Sequence, residues 1–77
     1  MNDHSEVLYV LHIALIEIRA TENLKKAQIL ADVVHNVPMM VRAGRTEDEI
    51  TTKVMLNAKR QGVDEYFLKL FEMAKNK

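Results

Sequence analysis

Three polar side chains have the types and the spacing of a metal site. His12 lies in the first predicted helix, and Asp32 and His35 lie three residues apart in the second. In an antiparallel pair of these helices, His12 falls level with Asp32, and Asp32 and His35 share one helix face. This spacing of carboxylate and imidazole occurs in di-metal helical bundles, where further glutamates complete the site. Glu17 lies too far along the first helix to join them, so we expect a solvated polar face and no cofactor.

Nucleic-acid binding is the second chemistry that the residues suggest. Ala58, Gly62 and Val63 resemble part of the helix-turn-helix signature, whose following helix enters the major groove. The basic residues that could form a contact patch with this corner are Arg42, Arg45, Lys53 and Arg60. The helix after Gly62, however, begins with Asp64 and Glu65, which would repel phosphates. Nucleic-acid binding is therefore the alternative function and not the expected one.

The sequence contains few residues that could carry out enzyme chemistry. The chain has no cysteine, no glycine-rich phosphate loop and no HExxH motif. Its single serine, Ser5, lies near the start of the chain with only His4 beside it. Nothing in the sequence combines a nucleophile, a base and oxyanion donors, so we expect a protein that is not an enzyme.

Composition limits the partners and the location. Eleven basic residues balance eleven acidic ones, so the net charge is zero and predicts neither strong phosphate binding nor a membrane surface. The apolar run Val7–Ile18 is shorter than the roughly 20 residues needed to span a bilayer. The residues before it, MNDHSE, are acidic, unlike the start of a signal peptide. We therefore expect a soluble cytoplasmic protein.

The Val7–Ile18 run dominates the organisation of the chain. It is apolar except at His12 and Glu17. At helical spacing it carries two apolar stripes, and a helix that is apolar most of the way round must be covered most of the way round. The first stripe consists of Val7, Leu11, Ala14, Leu15 and Ile18, and the second of Tyr9, Ile13, Ile16 and Ala20.

The second helix is predicted to begin near Glu22, with Thr21 as its N-cap, and to end at Gly44. Its apolar stripe keeps its phase through Pro38, which predicts one helix bent near Val34–Val37. The alternative is a stop at Asn36 followed by a short new turn.

Two shorter helices complete an all-α fold. Thr46 and Glu49 form a predicted capping box, and Gly62 ends the third helix. Asp64 is the predicted cap of the fourth helix, and Ser5 or Asp3 that of the first. We thus expect a single helical domain over residues 1–77, a four-helix bundle in which the first two helices form an antiparallel hairpin.

Self-association is the expected function. The second stripe of the first helix, with a flank of the second helix, is predicted to stay open, and exposed apolar patches of this kind usually mark interfaces. The predicted interface residues are Tyr9, Ile13, Ile16, Ala20, Ile29, Val33 and Met40. Since most soluble oligomers are symmetric, we expect a homodimer that serves as an adaptor or regulatory subunit, with a protein hetero-partner as the alternative.

Overall fold

The computed structural model describes residues 4–76, and every regular element in this range is a helix. The helices are α1 (Ser5–Ala20), α2 (Leu24–Val34), α3 (Val37–Arg42), α4 (Glu47–Arg60) and α5 (Asp64–Lys75). The predicted all-α class is confirmed. The four predicted helical segments are also present, the second of them bent so that it divides into α2 and α3.

The bend between α2 and α3 lies at His35 and Asn36. Both residues keep right-handed helical dihedral angles, φ −51° and ψ −42° for His35 and φ −91° and ψ −1° for Asn36. Pro38 occupies the first turn of α3, where a missing N–H costs little because that donor has no partner within the helix. The bend therefore falls within the predicted Val34–Val37 region.

The start of α4 is the predicted one, whereas the start of α1 is not. Thr46 Oγ1 accepts a bond from the Glu49 amide at 3.2 Å, and Glu49 Oε1 accepts one from the Thr46 amide at 3.0 Å, which completes the capping box. The N-cap of α1 is His4, and its side chain makes no capping bond. Ser5 is the first helical residue and not the cap, and Asp3 lies outside the described residues.

The cap of α2 is Asn23 and not Thr21. Asn23 Oδ1 accepts a bond from the Lys26 amide at 3.1 Å. Thr21 instead ends α1 by donating its own amide to the carbonyl of Glu17 at 2.9 Å, and its hydroxyl accepts from the Asn23 amide at 3.2 Å. Thr21 thus belongs to the turn, which moves the start of α2 two residues further along the chain than predicted.

The predicted glycine stops are confirmed at both positions. Gly44 and Gly62 have φ values of 81° and 77°, a left-handed conformation that other residues adopt only at a cost. After α4, the Val63 amide donates to the Ala58 carbonyl at 2.8 Å, which is the Schellman arrangement. Val63 is consequently also the N-cap residue of α5, so that Asp64 is helical and not the predicted cap.

Helix α1 lies at the centre of the molecule. It packs against each of the other four helices, most extensively against α2 and α5. The buried core draws on every helix: Val7, Val10, Ala14, Leu30, Val33, Val34, Val37, Ile50, Val54, Ala58, Phe67, Leu70 and Phe71. Phe67 also packs its ring edge-to-face with Tyr66, at a centroid distance of 5.2 Å and an interplanar angle of 89°. Among the described helices, none has the length and apolarity that a membrane crossing requires.

Candidate functional site

The three candidate metal ligands do not form a site. His12 is exposed on α1, while Asp32 and His35 are exposed at α2 and the turn after it. Among residues 4–76, no three histidine, aspartate or glutamate side chains are arranged so that they could hold a metal ion. Glu17 is paired elsewhere, since its Oε2 lies 3.4 Å from Lys26 Nζ. The spacing that suggested metal binding therefore brings no ligands together.

Glu17 also influences a residue of α5. Burial raises the pKa of the Tyr66 hydroxyl, and the negative charge of Glu17 raises it further. Tyr66 is half-buried and packs against the core. The shift reflects the packing of α5 against α1, which brings Tyr66 close to Glu17.

The predicted interface residues do not share one open surface. Val33 is only 2% exposed and belongs to the core, so its predicted place on an open flank is wrong. Ile13 and Met40 are half-buried and also pack against the core. Tyr9 and Ile29 are half-buried, and only Ile16 and Ala20 are exposed. The second stripe of α1 is thus largely covered within one chain.

A different side of α1 is open. We call it the outer face, and it consists of Ser5, Leu8, His12, Leu15, Ile16, Arg19 and Ala20, the exposed residues of this helix. Leu8 is 45% exposed, Leu15 39% and Ile16 51%. Leu15 had been expected in the buried stripe, but Val10 takes that place, because the buried side of α1 is centred on Val7, Val10 and Ala14.

The outer face is almost uncharged, and the two ends of α1 beside it carry opposite charges. Arg19 is its one permanent charge, and it forms no ion pair with any residue between 4 and 76. At the other end of α1, the Glu47 carboxylate accepts bonds from the amides of Glu6 and Val7, at 3.0 and 3.2 Å. Glu6 adds a second carboxylate in the same turn of α1. The N-terminal end is therefore acidic and the C-terminal end basic.

The N-terminal end of α1 is also fixed in place by the turn before α4. The imidazole Nε2 of His4 lies 2.7 Å from the carbonyl oxygen of Arg45, at hydrogen-bonding distance. Together with the two bonds to Glu47, this contact joins parts of the chain that are about forty residues apart. No local pattern in the sequence indicates this role of Glu47, because its bonds join residues about forty positions apart.

The predicted nucleic-acid contacts are only partly brought together. A groove of about 780 Å³ between α3 and α4 is lined by ten side chains: Asn36, Met39, Met40, Arg45, Asp48, Glu49, Thr52, Lys53, Leu56 and Asn57. Arg45 and Lys53 are in it, whereas Arg42 and Arg60 are exposed outside it. Arg45 lies 3.6 Å from Glu49, and Asp48 lines the same groove. Acidic side chains thus match the basic ones here, which does not favour a phosphate backbone.

The corner between α4 and α5 has the same mixed character. The side of α5 exposed to solvent carries acidic, basic and apolar residues: Glu65, Leu68, Lys69, Glu72, Met73 and Lys75. A recognition helix needs a net positive surface toward the duplex, and this side does not provide one. The outer face of α1 is therefore the best candidate for a functional surface.

Comparison with known proteins neither supports nor contradicts the outer face of α1 as a functional surface. No protein-family model, no curated protein and no solved structure matches the chain.

Proposed function

We propose that the protein is a non-enzymatic interaction module that forms a homodimer through the outer face of α1. The observation that carries this proposal is the exposure of Leu8, Leu15 and Ile16 together on one side of the central helix. Exposed apolar side chains that lie within one or two helical turns of each other form a continuous patch, and such patches usually mark interfaces. The cytoplasmic location expected from the sequence is part of the same proposal.

A second copy of the chain fits this face because its apolar residues are arranged symmetrically. Leu8 lies one turn before His12, and Leu15 and Ile16 lie one turn after it. When two α1 helices pair in opposite directions about an axis at His12, Leu8 of each copy meets Leu15 and Ile16 of the other. An interface of this kind uses the same patch on both subunits, as two-fold symmetry requires.

The charges at the ends of α1 favour the antiparallel direction. In that arrangement Arg19 of one copy approaches the acidic end of the other, where Glu6 and Glu47 lie. A parallel pair would instead place the two acidic ends side by side. Opposite charges across an interface fix its orientation, so we expect the antiparallel homodimer.

The mass of the protein in solution tests the proposal when exposed apolar residues on different helices are each replaced by glutamate and the variants are compared. We expect Ile16→Glu and Leu8→Glu to raise the dissociation constant of the dimer on the order of tenfold or more, because each buries a carboxylate in the apolar patch. Leu56→Glu on α4 and Leu68→Glu on α5 are the matched controls, since each of these leucines is 52% exposed. Ile13 is not a suitable target, because it packs against the core.

Sedimentation equilibrium gives the dissociation constants, and circular dichroism checks that each variant keeps its helices. The proposal requires the two α1 variants to be folded and weakened while the controls dimerise as the unmodified chain does. An equal dissociation constant for all of them would overturn the α1 interface, and stronger weakening by Leu56→Glu would assign the interface to the α3–α4 groove.

A further inference from the structure

We propose that self-association through α1 is sensitive to pH, because symmetry brings the two copies of His12 together. His12 is at the centre of the outer face, with Leu8 one turn before it and Leu15 and Ile16 one turn after it. In an antiparallel pair that sets Leu8 of one copy against Leu15 and Ile16 of the other, the two-fold axis crosses α1 level with His12. In a parallel pair the axis runs along the helices, and every residue lies level with its own copy. Each imidazole then faces its symmetry mate, whichever direction the helices run.

Histidine is the side chain that changes its charge between pH 5 and 8. Two protonated imidazoles across the axis would repel each other, and the apolar residues on either side would keep water from screening them. The dimer therefore favours the uncharged imidazole and binds fewer protons than two separate chains. Association is strongest above the range in which histidine titrates and is lost as the pH falls through that range.

Among residues 4–76, no acidic group forms an ion pair with the His12 imidazole that could compensate for this charge within one chain. The only titratable side chain within one turn of His12 on α1 is that of Tyr9, and it is not a carboxylate. Asp32, the acid of α2 expected at the same level, forms no ion pair with His12. In the described parts of α3, α4 and α5, no acid or base lies within ion-pair distance of the imidazole either. The charge taken up at low pH thus meets only the charge on the symmetry mate.

The dissociation constant at pH 8.0 and at pH 5.5 tests this regulation. We expect the unmodified dimer to be roughly tenfold weaker at the lower pH, which corresponds to one like-charge contact at a partly screened site. His12→Gln and His12→Leu should remove the pH dependence, and His12→Leu should strengthen the dimer at both pH values. His35→Gln is the matched control, because His35 is exposed at the bend between α2 and α3, and it should keep the full dependence.

Because this regulation rests on the self-association proposed above, the two must fail in different ways. A dimer of equal strength at both pH values would overturn the role of His12 and leave the α1 interface in place. The role of His12 would also be overturned, with the α1 interface left in place, if the His12→Leu dimer kept the pH dependence of the unmodified chain. A protein that is monomeric at pH 8.0 would overturn the interface itself, and the regulation with it. Circular dichroism at both pH values confirms that the helices are retained.

Discussion

Glu47 is the residue that stabilises the start of α1. The side chain of the N-cap His4 makes no capping bond to α1, yet the amides of Glu6 and Val7 are satisfied by the Glu47 carboxylate. A carboxylate at a helix N-terminus makes charge-assisted hydrogen bonds and also lowers the energy of the helix dipole. Glu47 is itself the first residue of α4, so one side chain serves two helix starts.

Replacing Glu47 should therefore destabilise the protein more than replacing its neighbour. We expect Glu47→Ala to lower the free energy of unfolding by about 1–2 kcal/mol, because two amides lose their acceptor. Asp48→Ala is the matched control, since it also removes a carboxylate from the first turn of α4 but makes no bond to α1. Urea unfolding at a fixed protein concentration measures both, and equal losses would contradict the role given to Glu47.

Glu49 gives the stability of the protein a defined dependence on pH. The Thr46 amide that donates to its carboxylate lowers the pKa of Glu49 below the ordinary value of 4.5, with further contributions from the Thr46 hydroxyl and the charge of Arg45. A group with a lowered folded pKa contributes stability above its unfolded value. That stability is lost as the pH falls through the folded value.

Comparison with an amide tests the sign of this effect. We expect the difference in unfolding free energy between the unmodified chain and Glu49→Gln to shrink as the pH is lowered from 7 to 3. Glu72→Gln provides the control, because Glu72 is exposed on α5 and its side chain bonds to no residue in the described part. If this difference in unfolding free energy stays constant between pH 7 and pH 3, the folded protein does not stabilise the charged form of the Glu49 carboxylate.

These two carboxylates differ in how far the sequence could predict them. Thr46 and Glu49 are three residues apart, and that spacing alone indicates a capping box. Glu47 bonds to residues about forty positions earlier, and only the packing of α4 against α1 brings them together. Local patterns predict local bonds, and the contacts that join distant parts of a fold leave no such pattern.

At the scale of the elements, the sequence predicts the start or end of a helix best where only one residue could cap or end it. It predicts worst where several neighbouring residues could do so. Gly44 and Gly62 are the only glycines, and both end helices as predicted. Before α2, Thr21 and Asn23 are both able to cap, and the geometry of the turn decides for Asn23. The bend before Pro38 was predictable because the proline ring limits where a helix can run straight.

The glycine after α4 should be sensitive to substitution for a purely conformational reason. Nothing lies within 4 Å of the position that a Cβ atom would occupy on Gly62, so a methyl group causes no clash. Its φ of 77° is nevertheless strained for any L-residue. We expect Gly62→Ala to lower the free energy of unfolding by about 1 kcal/mol. Gly62→Asn should lose less, because asparagine tolerates the left-handed conformation better. Thermal unfolding measures both losses. Equal losses of unfolding free energy for the two variants would contradict this conformational explanation.

At the scale of the whole molecule, the position of α1 explains both the fold and the proposed function. The apolar run predicted a helix that must be covered most of the way round, and α1 packs against all the other helices. The side left open was not predictable from the run, because nearly every direction around α1 is apolar. Which side of α1 is covered depends on where α2 and α5 lie. The exposed side is therefore that of Leu8 and Leu15, and not the predicted side of Tyr9 and Ile13, which are half-buried.

The size of the protein makes a partner for α1 energetically plausible. A chain of 77 residues buries only a little over ~60% of the surface of its unfolded form, which leaves a modest core. Covering Leu8, Leu15 and Ile16 in a dimer would add apolar burial, at roughly 25 cal/mol for each Å² removed from water. Association would then contribute to the stability of the fold as well as to function.

The solution mass of the unmodified protein, measured by light scattering on a sizing column over a concentration series at pH 8.0, tests the central claim most directly. We predict a mass twice that of the 8.9 kDa chain, falling toward the mass of one chain only on dilution. A mass of one chain at every concentration would contradict the α1 homodimer.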